Sequence, residues 1–253
     1  MIHIVANWKM NKNYTEAIEY INMINDFTDF DINKLNILIS PPAIHLEHLH
    51  SISSFLLVAQ NVSHQSKGAF TGEISAEMLS RYVKYAIIGH SERRQLFFES
   101  NLMLKKKLNM CFQYELSPIF CFGENQEARI QGNYLDVIKK QIEEVLFELD
   151  LTKVQTVILA YEPIWAIGTG DAASSQQIEE VHDFIRKLLI SHFGQYIGSK
   201  LPILYGGSCN ENNVIEILSN LNVNGLLVGG ASLDPLHFIN IIKIANEFSS
   251  NSF

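Results

Sequence analysis

Short, largely apolar runs alternate with longer amphipathic stretches throughout this chain, and the alternation repeats eight times. The runs are residues 2–6, 36–39, 56–59, 85–88, 117–121, 157–161, 202–205 and 225–228. Runs without polar alternation predict strands buried on both faces, the condition of a parallel sheet. Helical periodicity fills the intervals. It is clearest where Leu135, Ile138, Ile142, Val145, Leu146 and Leu149 recur at three- and four-residue steps, and again through Ile178, Val181, Ile185, Leu188 and Leu189. Further helices are predicted over 15–26, 44–50, 74–81, 101–113, 212–220 and 235–248. Eight strand–helix units predict an α/β chain closed into a parallel (β/α)8 barrel, although a doubly wound sheet produces a similar alternation. The 253 residues match the ~250 of one barrel, and no linker or low-complexity segment divides them, so a single domain over 1–253 is expected.

The formal charge of −8 and the lack of a basic cluster beyond Lys105-Lys106-Lys107 argue against nucleic acid or an anionic membrane as partner. That triplet lies in a helical pattern and reads as a solvated face. An anionic ligand must then be captured by local groups. The amino terminus begins a strand at once, with no basic leader or cleavage site, and no apolar run approaches the ~20 residues of a membrane helix. Cys111, Cys121 and Cys209 are odd in number and lack Cys-x-x-Cys spacing, which predicts free thiols in a reducing cytoplasm. His45-x-x-His48-x-His50 places only its first two imidazoles on one helical face and lacks completing ligands, so no metal is expected there.

The chemistry concentrates after the strands. Glu162 follows the run 157–161, at the carboxyl end where such barrels place their active sites. Pro163 stiffens the chain, Trp165 and Ile167 offer apolar cover, and Gly168 and Gly170 permit unusual backbone angles. A base under an apolar lid suits proton abstraction away from water. Gly168-Thr169-Gly170-Asp171-Ala172-Ala173 also spells a dinucleotide fingerprint, the basis of a competing nicotinamide oxidoreductase reading. That fingerprint must follow a strand directly and open a helix, whereas here the next helix is expected to start at a Ser174-x-x-Gln177 capping box. Other strand ends carry Asn7-Trp8-Lys9-Met10-Asn11, Gly89-His90-Ser91-Glu92-Arg93-Arg94, Gly206-Gly207-Ser208 and Gly229-Gly230-Ala231-Ser232. Closure of the barrel would bring amide, ammonium, imidazole, carboxylate and two glycine-rich turns to one rim.

Together with Gln60-Asn61, residues 68–73, Cys121-Phe122-Gly123-Glu124, Tyr161 to Gly170 and Leu227 to Leu233, these segments resemble the triosephosphate isomerase family in order and across the whole chain. The resemblance implies interconversion of dihydroxyacetone phosphate and D-glyceraldehyde 3-phosphate, without cofactor or metal. It implies Glu162 as base, His90 as electrophile, Lys9 as the cation near phosphate and enediolate, and Asn7 as a holder of the reacting oxygens. Gly168, Ser208, Gly229 and Gly230 match the family's phosphate grip, Ile167 and Leu227 its apolar clamp on the base, and Glu92 the short helix behind the histidine. Gly206 and Gly207 read as ordinary turn glycines. The loop 61–73 is expected to form a homodimer, Phe70 entering a pocket of the partner and Thr71 reaching the partner's catalytic asparagine and histidine. A phosphate-binding barrel without catalysis is the other alternative, opposed by intact Lys9, His90 and Glu162. The chain departs from the family at Phe98, often Gly, and at Asn101, often Asp. It departs also at Asp171, a hinge position seldom acidic, and at Cys209, where small apolar residues are common.

Overall fold

The computed structural model describes residues 1–167 and 172–251. Eight strands pair in chain order, all parallel: β1 (Ile2–Asn7), β2 (Leu35–Ser40), β3 (Leu56–Ala59), β4 (Tyr85–Ile88), β5 (Ser117–Phe122), β6 (Ile158–Tyr161), β7 (Ile203–Tyr205) and β8 (Gly225–Val228). β8 returns to β1, pairing Gly225 with His3 and Val228 with Ala6, so the sheet is a closed (β/α)8 barrel. Gly225 permits that closure, because its φ is +152° and a Cβ there would lie 2.0 Å from the His3 carbonyl oxygen.

The uninterrupted apolar runs reflect two cores. Val5, Leu38, Val58, Ile87, Ile119, Ile158, Leu204 and Leu227 fill the barrel interior. Their chain neighbours Ile4, Ala6, Ile37, Ile39, Ala86 and Ile88 turn outward beneath the helices. Side chains still alternate with period two, but both faces are dry, so the alternation is invisible in hydropathy.

The helices are α1 (Tyr14–Asn25), α2 (Leu46–Ile52), α3 (Ala76–Leu79), α4 (Ser91–Leu96), α5 (Asn101–Gln113), α6 (Gln126–Gln131), α7 (Tyr134–Leu146), α8 (Leu151–Val154), α9 (Ser175–Gly198), α10 (Val214–Leu218) and α11 (Pro235–Asn251). Ile138, Ile142, Val145 and Leu146 form the buried stripe of α7, and each such side chain contributes roughly 1.5–3 kcal/mol on leaving water. The capping box expected before α9 is present, with Ser174 accepting from the Gln177 N–H while the Gln177 side chain accepts from the Ser174 N–H. The helix predicted over 74–81 contracts to α3, because Ser75 caps it through the Met78 N–H.

One expectation is corrected. Lys105, Lys106 and Lys107 do not share a solvated face: Lys107 is buried, its Nζ donating to Glu99 at 2.6 Å and to Asn61 at 2.7 Å. Three consecutive residues sweep about 200° around a helix, so one of them must face inward.

Candidate active site

The short β4 strand ends at a glycine with φ +77°, and His90 follows as the N-terminal cap of α4. Its Nδ1 accepts the Glu92 N–H at 3.3 Å, so this nitrogen is unprotonated and the ring's proton sits on Nε2. Nε2 lies 3.1 Å from Glu162 Oε1. The other carboxylate oxygen of Glu162 accepts the Ser91 N–H, the first free donor of α4, at 2.8 Å. Glu162 follows β6, and its own N–H is pinned to the Phe122 carbonyl at 2.8 Å. It is almost wholly buried, at 1% exposure. The result is a desolvated carboxylate facing a neutral imidazole that donates from Nε2.

Lys9 and Asn7 come from the end of β1. Lys9 adopts φ +53°, in the left-handed region, and the surroundings hold it there. Its N–H donates to Asn7 Oδ1 at 3.0 Å, and its carbonyl accepts from Gln60 Nε2 at 2.8 Å. Asn7 therefore spends its oxygen on the backbone, and its Nδ2 has no hydrogen bond among the described residues. Lys9 Nζ lies 2.5 Å from Glu92 Oε1, which aims the ammonium across the rim. Its stem passes close by Gly229, where a Cβ would sit 3.3 Å from Lys9 Cε.

These groups open into one cavity of about 290 Å³. Asn7, Lys9, His90, Glu162, Ile167, Ser208, Leu227, Gly229 and Gly230 all line it, so the barrel gathers residues separated by more than two hundred positions. Gly168, with Thr169, Gly170 and Asp171, lies outside the described residues. Phe70 and Thr71 sit elsewhere, on the loop after β3, and Phe70 is 43% exposed. Ser208 turns both its N–H and its hydroxyl to the Ala166 carbonyl, at 3.2 and 2.8 Å, tying the β7 turn to the segment that follows β6.

Several participants were not singled out from sequence. A Cβ on Gly206 would lie 2.9 Å from Glu162 Cγ, and one on Gly207 would lie 2.2 Å from the Tyr205 hydroxyl. Neither is an ordinary turn glycine; each leaves room for a side chain of the site. Gln60 braces Lys9 and also donates to the Ser40 carbonyl at 3.0 Å, a role its polar position after β3 could have signalled. Glu124 is fully buried beneath Trp165, accepting from the indole N–H at 2.8 Å and the Tyr161 hydroxyl at 3.1 Å. Burial raises its pKa against the pull of Trp165 and Arg129. The Tyr205 hydroxyl accepts the Ala173 N–H at 3.3 Å, so both ends of the segment around residues 168–171 are tied to the barrel.

The departures also find places. Phe98 holds φ +55°, a conformation that suits glycine, while its ring is 82% exposed. Cys209 lines the cavity, and burial pushes its thiol up to about 12. The three histidines of 45–50 diverge: His45 Nε2 bonds the Lys12 carbonyl at 2.9 Å, His48 packs on Tyr14 and His50 on Tyr82.

Fold and site together define a (β/α)8 barrel with a buried carboxylate–imidazole pair opposite glycine-rich turns, the equipment of an acid–base enzyme for a small anion. The triosephosphate isomerase family profile matches residues 2–245. Proteins named triosephosphate isomerase from Amoebophilus asiaticus and Thermodesulfovibrio yellowstonii are each 42% identical, over 246 and 244 residues. The alignments cover 95% of this chain in both cases, and 97% and 98% of those relatives. The relative from Porphyromonas gingivalis is 39% identical over 244 residues, covering 95% of this chain and 97% of its own. The chain belongs to the triosephosphate isomerase family.

Proposed function

We infer that this chain interconverts dihydroxyacetone phosphate and D-glyceraldehyde 3-phosphate through an enediol(ate). The observation that carries the reading is the Glu162–His90 pair, 3.1 Å apart and buried, on the wall of a cavity that also holds Lys9 and the turns at Ser208 and Gly229-Gly230. The phosphate sits against those turns, whose main chain can approach it closely, with Gly168 completing the grip. Glu162 removes a proton from the carbon beside the carbonyl, and the electron pair moves onto oxygen. His90 donates from Nε2 to that oxygen, Lys9 offsets the developing negative charge, and Asn7 Nδ2 holds the neighbouring oxygen. His90, having protonated the first oxygen, takes the hydroxyl proton of the neighbouring oxygen back onto Nε2, that oxygen becomes the new carbonyl, and Glu162 returns its proton to the adjacent carbon. Oxidation at one carbon balances reduction at the next, so the chemistry calls for neither a metal nor a redox cofactor.

Resting contacts must be exchanged along the way. Glu162 leaves the Ser91 N–H and His90 to meet the carbon, and His90 Nε2 trades a carboxylate oxygen for a substrate oxygen. Ile167 and Leu227 keep water from the base during transfer. The reaction is assigned to the cytoplasm, where the free, buried Cys111, Cys121 and Cys209 are at home. The working form is a homodimer built through the loop after β3. A cavity of about 490 Å³ beside Lys9 and His90, walled by Met10, Asn61, Glu73 and Phe97, offers the partner's Phe70 a receptacle.

A coupled assay in EDTA tests the activity. Wild type should turn over triose phosphate, and Glu162→Gln should lose roughly 10²–10⁴-fold in kcat while still binding a phosphate-bearing inhibitor. Wild-type turnover by the variant would remove Glu162 from the role of base.

A further inference from the structure

Arg94 stands directly behind the catalytic pair without touching it. Its Nε donates to the Gly89 carbonyl at 2.8 Å, and its Nη2 donates to the Cys121 carbonyl at 2.9 Å. Gly89 precedes His90. Cys121 precedes Phe122, whose carbonyl holds the Glu162 N–H. One planar guanidinium therefore spans the ends of β4 and β5, and so sets the spacing between the strand that delivers His90 and the strand that anchors Glu162. The fit is close, since a Cβ on Gly89 would lie 3.1 Å from the Cys121 oxygen and 3.2 Å from Arg94 Nη2.

The third donor, Nη1, reaches Asn101 Oδ1 at 2.7 Å, and Asn101 Nδ2 in turn donates to Glu144 Oε2 on α7 at 2.8 Å. Glu144 thus decides which way the Asn101 amide points: its carboxylate takes the NH₂, leaving the oxygen for Arg94. No carboxylate hydrogen-bonds Arg94 among the described residues, and burial lowers its pKa to about 10. Its orientation therefore depends on neutral acceptors, of which only Asn101 is a side chain.

We propose that Asn101, oriented by Glu144, is a positioning residue for the isomerase reaction, acting through Arg94 on the geometry of His90 and Glu162. The proposal rests on the isomerase reading. An aspartate at 101 could accept from Arg94 but could not donate to Glu144, so the amide and the acid on α7 work as a matched pair. Loss of the pair should affect kcat more than KM, because the phosphate turns at Ser208 and Gly229-Gly230 lie on other strands, whereas the reacting groups move with β4 and β5. A displacement of the order of 1 Å is enough to cost up to ~10²-fold in rate.

The test uses the full-length protein, with assembly and folding checked by light scattering and circular dichroism. Asn101→Leu keeps the branched shape of the side chain but removes both hydrogen bonds, and should lower kcat about tenfold or more with KM within about twofold. The double variant Asn101→Asp/Glu144→Gln exchanges donor and acceptor between positions 101 and 144 while restoring an acceptor to Arg94, and should return kcat to within about threefold of wild type. A folded Asn101→Leu protein with wild-type kcat would overturn the proposal, as would a double variant no better than Asn101→Leu. Should Asn101→Leu lower only the melting temperature, Asn101 is structural and the proposal is again overturned. Absence of turnover in wild type would instead defeat the isomerase reading.

Discussion

His90 and His182 are both buried imidazoles, and their surroundings put them to opposite uses. His90 has both nitrogens engaged, one by a helix N-terminus and one by Glu162. Among the described residues His182 bonds only through Nδ1, to the Asn222 carbonyl at 3.2 Å, while its Nε2 is buried without a hydrogen-bond partner and its ring packs on Tyr161. Burial, reinforced by the nearby Arg186, lowers the His182 pKa to about 4. Below its ordinary value of 6.5 the unfolded chain takes up a proton that the folded one refuses, so stability falls as pH drops from about 6.5 toward 4. The shift corresponds to an upper limit of about 3 kcal/mol from this residue. His182→Asn keeps a donor for Asn222 and removes the titration, and should flatten the melting temperature measured between pH 7.5 and 5 at fixed protein concentration. An unchanged acid slope would assign the effect to other groups, with His3, also lowered by burial to about 4, the first to examine.

At the level of elements, the regular parts were legible in the sequence and the short ones were not. Strand bounds agree to within one residue because polar, glycine or proline positions mark most strand ends, and α7 and α9 announce themselves by their stripes. α6 and α8 did not, since six and four residues complete too few turns to show a period. The reacting residues could be read from strand ends, whereas Gly206 acts by its fit against Glu162, a side chain distant in sequence, which no local pattern encodes. Arg186 on α9 is another such case. It binds the Gly198 and Leu201 carbonyls at 2.6 and 2.8 Å and Asn224 Oδ1 at 2.9 Å, fastening α9 to the segments before β7 and β8 with neutral acceptors alone. Asn224 Oδ1 also accepts from the Ile203 N–H at 3.0 Å, so a second carboxylate oxygen can replace its amide nitrogen without breaking a bond. Asn224→Asp turns a neutral acceptor into a charged one beside a buried guanidinium, worth about 1 kcal/mol. The melting temperature should rise by about 2–4 °C for a chain of this size. A fall would mean that desolvating the new carboxylate outweighs the pairing.

At the scale of the whole molecule, the proposed homodimer would cover apolar surface beside the active-site rim. Met10 is 95% exposed, Ile44 85%, Phe98 82% and Phe97 61%, and Phe70 projects from the loop after β3 nearby in sequence to Gly68 and Gly72. Met10 and Phe97 share the wall of the cavity beside Lys9 and His90, and exposed apolar side chains gathered in this way suit the proposed interface. In the proposed twofold arrangement each copy's Phe70 enters the other's cavity beside Lys9 and His90, so the same contact is made twice. Phe70 is 43% exposed before assembly, so covering the remainder is worth roughly 1 kcal/mol per phenylalanine, hence about 2 kcal/mol for the pair. Phe70→Asp removes both contributions and would bury two charges, raising the dimer dissociation constant by roughly 10–10²-fold or more. Because the loop abuts the strand end that carries Lys9, activity should fall with assembly and recover partly at high protein concentration. Sedimentation velocity paired with the coupled assay reads both quantities across a dilution series. A wild-type protein that sediments as a monomer at assay concentration with full turnover would refute the dimer and free Phe70 of any part in the reaction.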